Sequence, residues 1–142
     1  MSKIDEDNVS EMLTKMTGII FSEGKYKLGN WGEVDKWSQI IDNTFIFLEV
    51  ETIQKHPNTN ILKVWPYLEE NINVRVFHIQ AFFSNSPGIN SNRGRLAEWT
   101  ANKIKLEIGK RYEYCKIILD ESHIQENINS LLRSINNFIS SD

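Results

Sequence analysis

The run of residues 74–83, VRVFHIQAFF, constrains the fold of this chain more than any other segment. Its β-branched and aromatic residues predict a strand, and its nearly continuous apolar character predicts that both faces of the strand are buried. Amphipathic segments flank it: one helix is predicted to begin at Pro57, and another ends at Gly109. A strand buried on both faces between helices predicts a sheet that helices cover on both sides.

The rest of the chain extends this pattern on either side of the run. A first helix is predicted over residues 6–17, a short strand over 25–28, and a hairpin of strands 34–41 and 44–51 around Asp42-Asn43. Pro66 is expected to kink or shorten the helix from Pro57. A strand over 112–119 and a final helix, opened by a capping box at residues 122–125, complete the chain. The order predicts an α/β single domain over residues 1–142, in which a β-meander and then alternating helices and strands form a central mixed sheet.

Composition narrows the classes of protein to which the chain can belong. The net charge is −3, and the single cysteine, Cys115, excludes an internal disulfide framework and a cysteine-based zinc site. No apolar run approaches the ~20 residues of a membrane span, and the polar, acidic N-terminus predicts no secretory signal. We therefore expect a cytoplasmic protein without a membrane partner. No glycine-rich phosphate loop or dinucleotide fingerprint is present, so no nucleotide cofactor is expected.

The strand at residues 44–51, TFIFLEVE, contains the most informative chemistry. Alternate residues of a strand share a face, so Phe45, Phe47, Glu49 and Glu51 are predicted to point one way. Two carboxylates beside two core aromatics require a polar cleft at the end of that face, because burying an unpaired charge is costly. Mg²⁺ shared by the two acids would relieve their repulsion. Alternatively, the acids reach water or pair with Lys or Arg.

Asp35 precedes Glu49 by fourteen residues, on the neighbouring strand of the predicted hairpin. A regular two-residue turn would place Asp35 opposite Val50, on the wrong face. A three-residue loop or one β-bulge would place it opposite Glu49 or Glu51, on the same face as the acids. A site containing Asp35 therefore predicts an irregularity in the hairpin.

An Asp on one strand, followed after this interval by Glu-x-Glu at the end of an apolar strand and then by a helix, resembles the PD-(D/E)XK nuclease superfamily. The resemblance covers roughly residues 6–83 and implies a restriction endonuclease-like fold. It implies that Asp35 and Glu49 bind metal, while Glu51 stands where the family usually has Lys. Glu51 would then be a third metal ligand. Two lysines could replace the missing one: Lys55 beyond the strand, or Lys63 on the next helix. An acid of the first helix often assists in this family, and Glu11 is the candidate, with Glu23 behind it.

The resemblance implies hydrolysis of DNA phosphodiesters that depends on Mg²⁺ or Mn²⁺, and we expect the enzyme to act as a homodimer. Polar residues after the acids and arginines at a later helix start are candidates for nucleic-acid contacts: Gln54, His56, Asn58, Asn60, Arg93 and Arg95. An ordinary strand-to-helix connection and solvated arginines would explain the same residues. Two alternatives remain open: a catalytically inactive nuclease-like module that binds nucleic acid or a protein partner, and an unrelated α/β domain with an incidental acidic strand end.

Overall fold

The computed structural model describes residues 3–51, 56–84, 89 and 91–141. Five α-helices and six strands lie within these residues. The helices are α1 (Lys3–Thr17), α2 (Pro57–Leu62), α3 (Val64–Glu70), α4 (Asn92–Ile108) and α5 (Ile124–Ser140). The strands are β1 (Tyr26–Lys27), β2 (Glu33–Val34), β3 (Lys36–Ile41), β4 (Thr44–Glu51), β5 (Arg75–Phe83) and β6 (Tyr112–Leu119).

The central sheet has four strands in the order β3-β4-β5-β6, and β1 pairs with β2 in a separate two-stranded sheet. Strand β3 is antiparallel to β4, whereas β4, β5 and β6 are mutually parallel. The hairpin accounts for the antiparallel pair, and the helices between β4, β5 and β6 make the crossovers that parallel strands require. The predicted α/β domain with a mixed central sheet is confirmed.

Two apolar cores lie on opposite faces of this sheet. One contains Phe45 and Phe47 of β4 and packs against α2, α3 and α4. The other contains Ile46 and Leu48 of β4 and packs against α1 and α5. Strand β5 lies between β4 and β6 and is almost entirely buried, as its apolar sequence predicts. The two alternating sets of β4 side chains therefore face different layers, and Glu49 and Glu51 belong to the layer of α2.

The predicted irregularity of the hairpin is present. Thr44 pairs with Ile41 across the two-residue turn, but Phe45 pairs with Gln39, so the register shifts by one residue between Gln39 and Ile41. Beyond the shift, Lys36 pairs with Leu48. Continuing that register by one position sets Asp35, which follows β2, beside Glu49. The bulge thus brings Asp35 to the side of the hairpin that the acids occupy.

The helix that begins at Pro57 is interrupted, as predicted, and the break falls at Lys63, between α2 and α3. Pro66 has no N–H to donate to the carbonyl of Leu62 four residues earlier, which explains the break there. The predicted capping box of α5 is wrong. The helix begins after His123 without a side-chain cap, and the Ser122 hydroxyl donates instead to Asp120 Oδ1 at 2.9 Å. A local turn has replaced the cap.

Among the described parts of the chain, no helix combines the length and the apolar character that a membrane crossing requires.

Candidate functional site

A small polar cleft opens where the end of β4 meets α1, α2 and the residue after β2. Its volume is about 110 Å³, and its polar lining comes from Glu6, Asp35, Glu49, Asn60 and Lys63. We call it the acidic cleft. Four separate parts of the chain supply these side chains, so only the folded protein assembles them.

Glu49 and Lys63 form an ion pair at the inner wall of the acidic cleft. Lys63 Nζ lies 3.0 Å from Glu49 Oε2 and donates a hydrogen bond to Oε1 at 3.4 Å. The side chains are only 6% and 14% exposed, respectively, so neither charge is strongly screened by solvent. The break between α2 and α3 lies at Lys63, which turns toward β4. The ammonium group thereby offsets the cost of burying the Glu49 carboxylate.

Glu51 lies deeper than Glu49 and is only 1% exposed. Asn60 Nδ2 donates to Glu51 Oε1 at 2.7 Å, and Lys63 donates to Asn60 Oδ1 at 3.3 Å. Glu51 Oε2 has no hydrogen-bond partner among the described residues. Burial raises the pKa of Glu51 to about 7, although the hydrogen bond from Asn60 lowers it. Glu51 therefore contacts the acidic cleft through Asn60, and its own carboxyl does not line the cleft.

Glu6 and Asp35 occupy the outer wall of the acidic cleft. Burial, the charge of Asp35 and a hydrogen bond to it raise the pKa of Glu6 to about 7. Asp35 is 47% exposed and lies 3.6 Å from Lys25 Nζ, an exposed ion pair that solvent weakens. Glu11, the first-helix acid suggested by the resemblance, is exposed and does not line the cleft. Glu6, five residues earlier on α1, takes its place.

A fully buried histidine lies behind Glu49. His78 Nδ1 is 3.0 Å from the Tyr112 hydroxyl, and Nε2 is 3.9 Å from Glu49 Oε2. Burial lowers the pKa of His78, which favours the neutral ring. Next to it, Gln80 donates to the Pro57 carbonyl at 3.0 Å and accepts from Tyr114 at 2.6 Å. A polar layer thus continues from the acidic cleft beneath α2 and across β5.

The other predicted site residues are distributed more widely. Gln54 and Lys55 lie outside the described residues. His56 is exposed just before α2 and makes no side-chain cap, and Asn58 is partly buried outside the cleft lining. Arg93 and Arg95 are exposed in the first turns of α4, where Arg95 donates to Asn92. Of the predicted nucleic-acid contacts that the structure describes, only Asn60 lines the acidic cleft.

Two residues of the site were not predicted from the sequence. Glu6 precedes the buried Val9 and Leu13 by three and seven residues, so it continues the apolar stripe of α1. That spacing was a signal that could have singled it out from Glu11. His78 belongs to the apolar run 74–83, and it is fully buried as the other residues at the centre of β5 are. Its proximity to Glu49 depends on the pairing of β4 with β5, for which the sequence offers no local signal.

The residues of the acidic cleft match a hard divalent ion in their chemistry, because carboxylate and amide oxygens are the donors that Mg²⁺ prefers. They are not assembled for one: in the part of the chain that the structure describes, no group of three or more His, Cys, Asp or Glu side chains is arranged to hold a metal ion. Glu49 is paired with Lys63, and Glu6 is hydrogen-bonded to Asp35. An ion would have to exchange with these partners.

No family model, curated protein or solved structure matches the chain.

Proposed function

We propose that the protein is a divalent-metal-dependent nuclease of the PD-(D/E)XK type that hydrolyses DNA phosphodiesters in the acidic cleft. The observation that carries the proposal is the convergence of Glu6, Asp35 and Glu49 with the partly buried Lys63 on one small polar cleft. The finer assignment, a restriction endonuclease-like fold, belongs to the same proposal. Its support is the order of one helix, a hairpin with the acids, a crossover helix and a parallel strand.

Asp35 and Glu49 would hold the ion, with Glu6 as the first-helix acid. When bound, Mg²⁺ or Mn²⁺ would supply positive charge to the phosphodiester and lower the pKa of a coordinated water. Glu51, which the resemblance suggested as a third ligand, is separated from the cleft by Asn60 and has no place in this ligand set. The ligand set therefore comes from three elements, α1, the segment before β3, and β4.

Lys63 would provide the cationic side chain that the Glu-x-Glu motif lacks. Its ammonium group is held inside the cleft and has three donors that can rotate toward a phosphate oxygen or an attacking water. A positive charge fixed beforehand stabilises the negative charge that develops on the phosphate oxygens during hydrolysis. Lys63 thus combines burial, charge and access to the cleft.

The test is a plasmid-cleavage assay with added Mg²⁺ or Mn²⁺, paired with calorimetry of metal binding. We expect cleavage by the wild type, and loss of both cleavage and metal binding in Asp35→Asn and Glu49→Gln. Asp42→Asn removes one carboxylate from the exposed turn and should leave both unchanged. Cleavage that survives in Asp35→Asn and Glu49→Gln would contradict the proposal.

Binding of DNA without metal-dependent cleavage would instead support the inactive binding module. A specific observation favours that second function: the ion pair of Glu49 with Lys63 already neutralises the central acid without a metal. A divalent ion that produces no heat and no rise in melting temperature would agree with it.

Glu6→Gln should weaken Mn²⁺ binding roughly 10- to 100-fold, because it removes one of three carboxylates that border the acidic cleft. Glu11→Gln is the matched control, since Glu11 lies on the same helix but is exposed. Calorimetric titration of both variants measures the difference. Equal affinities in the two variants would show that α1 contributes no ligand.

A further inference from the structure

The four side chains at the inner wall of the acidic cleft form a connected set. Glu49 and Glu51 are two residues apart on one face of β4, and Asn60 and Lys63 are three residues apart on one side of α2 and its break. Lys63 contacts Glu49, and Asn60 contacts Glu51. A hydrogen bond from Lys63 to Asn60 joins the two contacts.

We propose that Glu51 and Asn60 are positioning residues that aim Lys63, and that Glu51 binds no metal ion. This inference rests on the proposed function for the role of Lys63, but the arrangement that it invokes belongs to the protein alone. The proposal accounts for Glu-x-Glu in place of Glu-x-Lys, because the second acid, Glu51, holds the replacement lysine, Lys63, in position.

The direction of the Asn60 amide is the first step of the argument. A Glu51 oxygen accepts the hydrogen bond at 2.7 Å, so the Asn60 group facing it must be the NH₂ donor. The amide oxygen then faces the opposite way, toward Lys63 Nζ at 3.3 Å. Glu51 thereby sets which end of the amide Lys63 meets.

The burial of Glu51 is the second step. The side chain is 1% exposed, one oxygen is occupied by Asn60, and the carboxyl is not part of the cleft lining. An ion in the cleft would meet Asn60 and Lys63 before it met Glu51. A burial this deep suits a residue that orients a neighbour better than one that must exchange ligands with solvent.

The first measurement needs no nuclease activity. Competitive acylation of the metal-free protein, followed by mass spectrometry, reports the reactivity of Lys63, with Lys36 as the internal reference. Asn60→Leu and Glu51→Leu should each raise the reactivity of Lys63 several-fold, because the ammonium group loses an acceptor, and should leave Lys36 unchanged. Glu51→Gln keeps an oxygen for Asn60 and should match the wild type.

The double variant Glu51→Gln with Asn60→Asp tests the same contacts without the leucine substitutions, in case those variants fail to fold. The amide introduced on β4 would donate to the carboxylate introduced on α2, whose second oxygen would still accept from Lys63. Asn60→Asp alone sets two carboxylates against each other and should disturb Lys63, and the added Glu51→Gln should restore it. Such rescue is not expected of residues that only fill space.

The second measurement uses the loaded enzyme. Asn60→Leu should lower kcat roughly 10- to 100-fold with little change in KM or in calorimetric Mn²⁺ affinity. Glu51→Gln should retain wild-type Mn²⁺ affinity. Loss of Mn²⁺ binding in Glu51→Gln would show that Glu51 is a metal ligand and would overturn the inference. Unchanged reactivity of Lys63 in Asn60→Leu would also overturn it. A wild type that cleaves nothing would refute the proposed function alone, because the acylation result still decides the positioning role.

Discussion

Replacing Lys63 by Met should lower the rate of DNA cleavage about 10²- to 10³-fold, the usual effect of removing one preorganised charged donor from a transition state. In the wild type, Lys63 Nζ lies 3.0 Å from the Glu49 carboxylate. The same change therefore leaves that carboxylate buried without its ammonium partner. We therefore also expect a loss of roughly 3–5 kcal/mol in the free energy of unfolding. Cleavage rates at saturating metal and urea denaturation at pH 8 measure the two effects.

The matched control for Lys63→Met is Lys25→Met. Lys25 pairs with Asp35 at 3.6 Å, but both side chains are exposed, so the free energy of unfolding should stay close to that of the wild type. Adding Glu49→Gln to Lys63→Met should recover most of the lost stability and none of the cleavage. If Lys63→Met cleaves at the wild-type rate, Lys63 is not the catalytic lysine, and Lys55 is the next one to test.

Glu51→Gln should stabilise the protein at high pH by up to about 3 kcal/mol, since its pKa rises from 4.5 to about 7 on folding and each pKa unit corresponds to about 1.4 kcal/mol. Between these two pH values the folded protein binds more protons than the unfolded chain, so wild-type stability falls as pH rises. Above pH 7 the wild type bears the full cost of an ionised, buried Glu51. Below pH 4.5 the residue is protonated in both states and the advantage of Gln disappears.

Thermal or urea denaturation of Glu51→Gln at pH 4, 6 and 9 checks this dependence. Glu49→Gln is the contrasting variant, because it breaks the ion pair with Lys63 and should destabilise the protein at pH 9. A difference between Glu51→Gln and the wild type that stays constant from pH 4 to 9 would show that burial does not perturb the Glu51 carboxyl.

Much of the sheet could be predicted because its signals are local. The alternation in β4 assigned Phe45 and Phe47 to one core and Ile46 and Leu48 to the other, and both assignments are confirmed. The bulge was predicted from one geometric condition, that Asp35 share a face with the acids. These inferences needed only the two-residue period of a strand and the length of a turn.

The details of the acidic cleft were harder to predict because they depend on contacts between distant segments. The cover that α2 provides makes Glu51 more buried than Glu49, whereas the sequence indicated a strand face that opens into a cleft at its end. The Lys63 contact depends on a helix break, and the position of Glu6 depends on where α1 crosses β4. Propensity and periodicity describe each segment but not how segments dock.

The extra residue in β3 shows that the side of the hairpin on which Asp35 lies depends on strand pairing as much as on residue type. If β3 paired with β4 without the bulge, every acid would remain in the chain, yet Asp35 would lie opposite Val50 and face the other side of the hairpin, toward α1 and α5. A homologue that aligns letter for letter at the acids but has one further residue in β3, paired regularly beyond the bulge, would have a different electrostatic surface. In the descent of such proteins, a single-codon insertion could abolish the site as completely as the loss of a carboxylate.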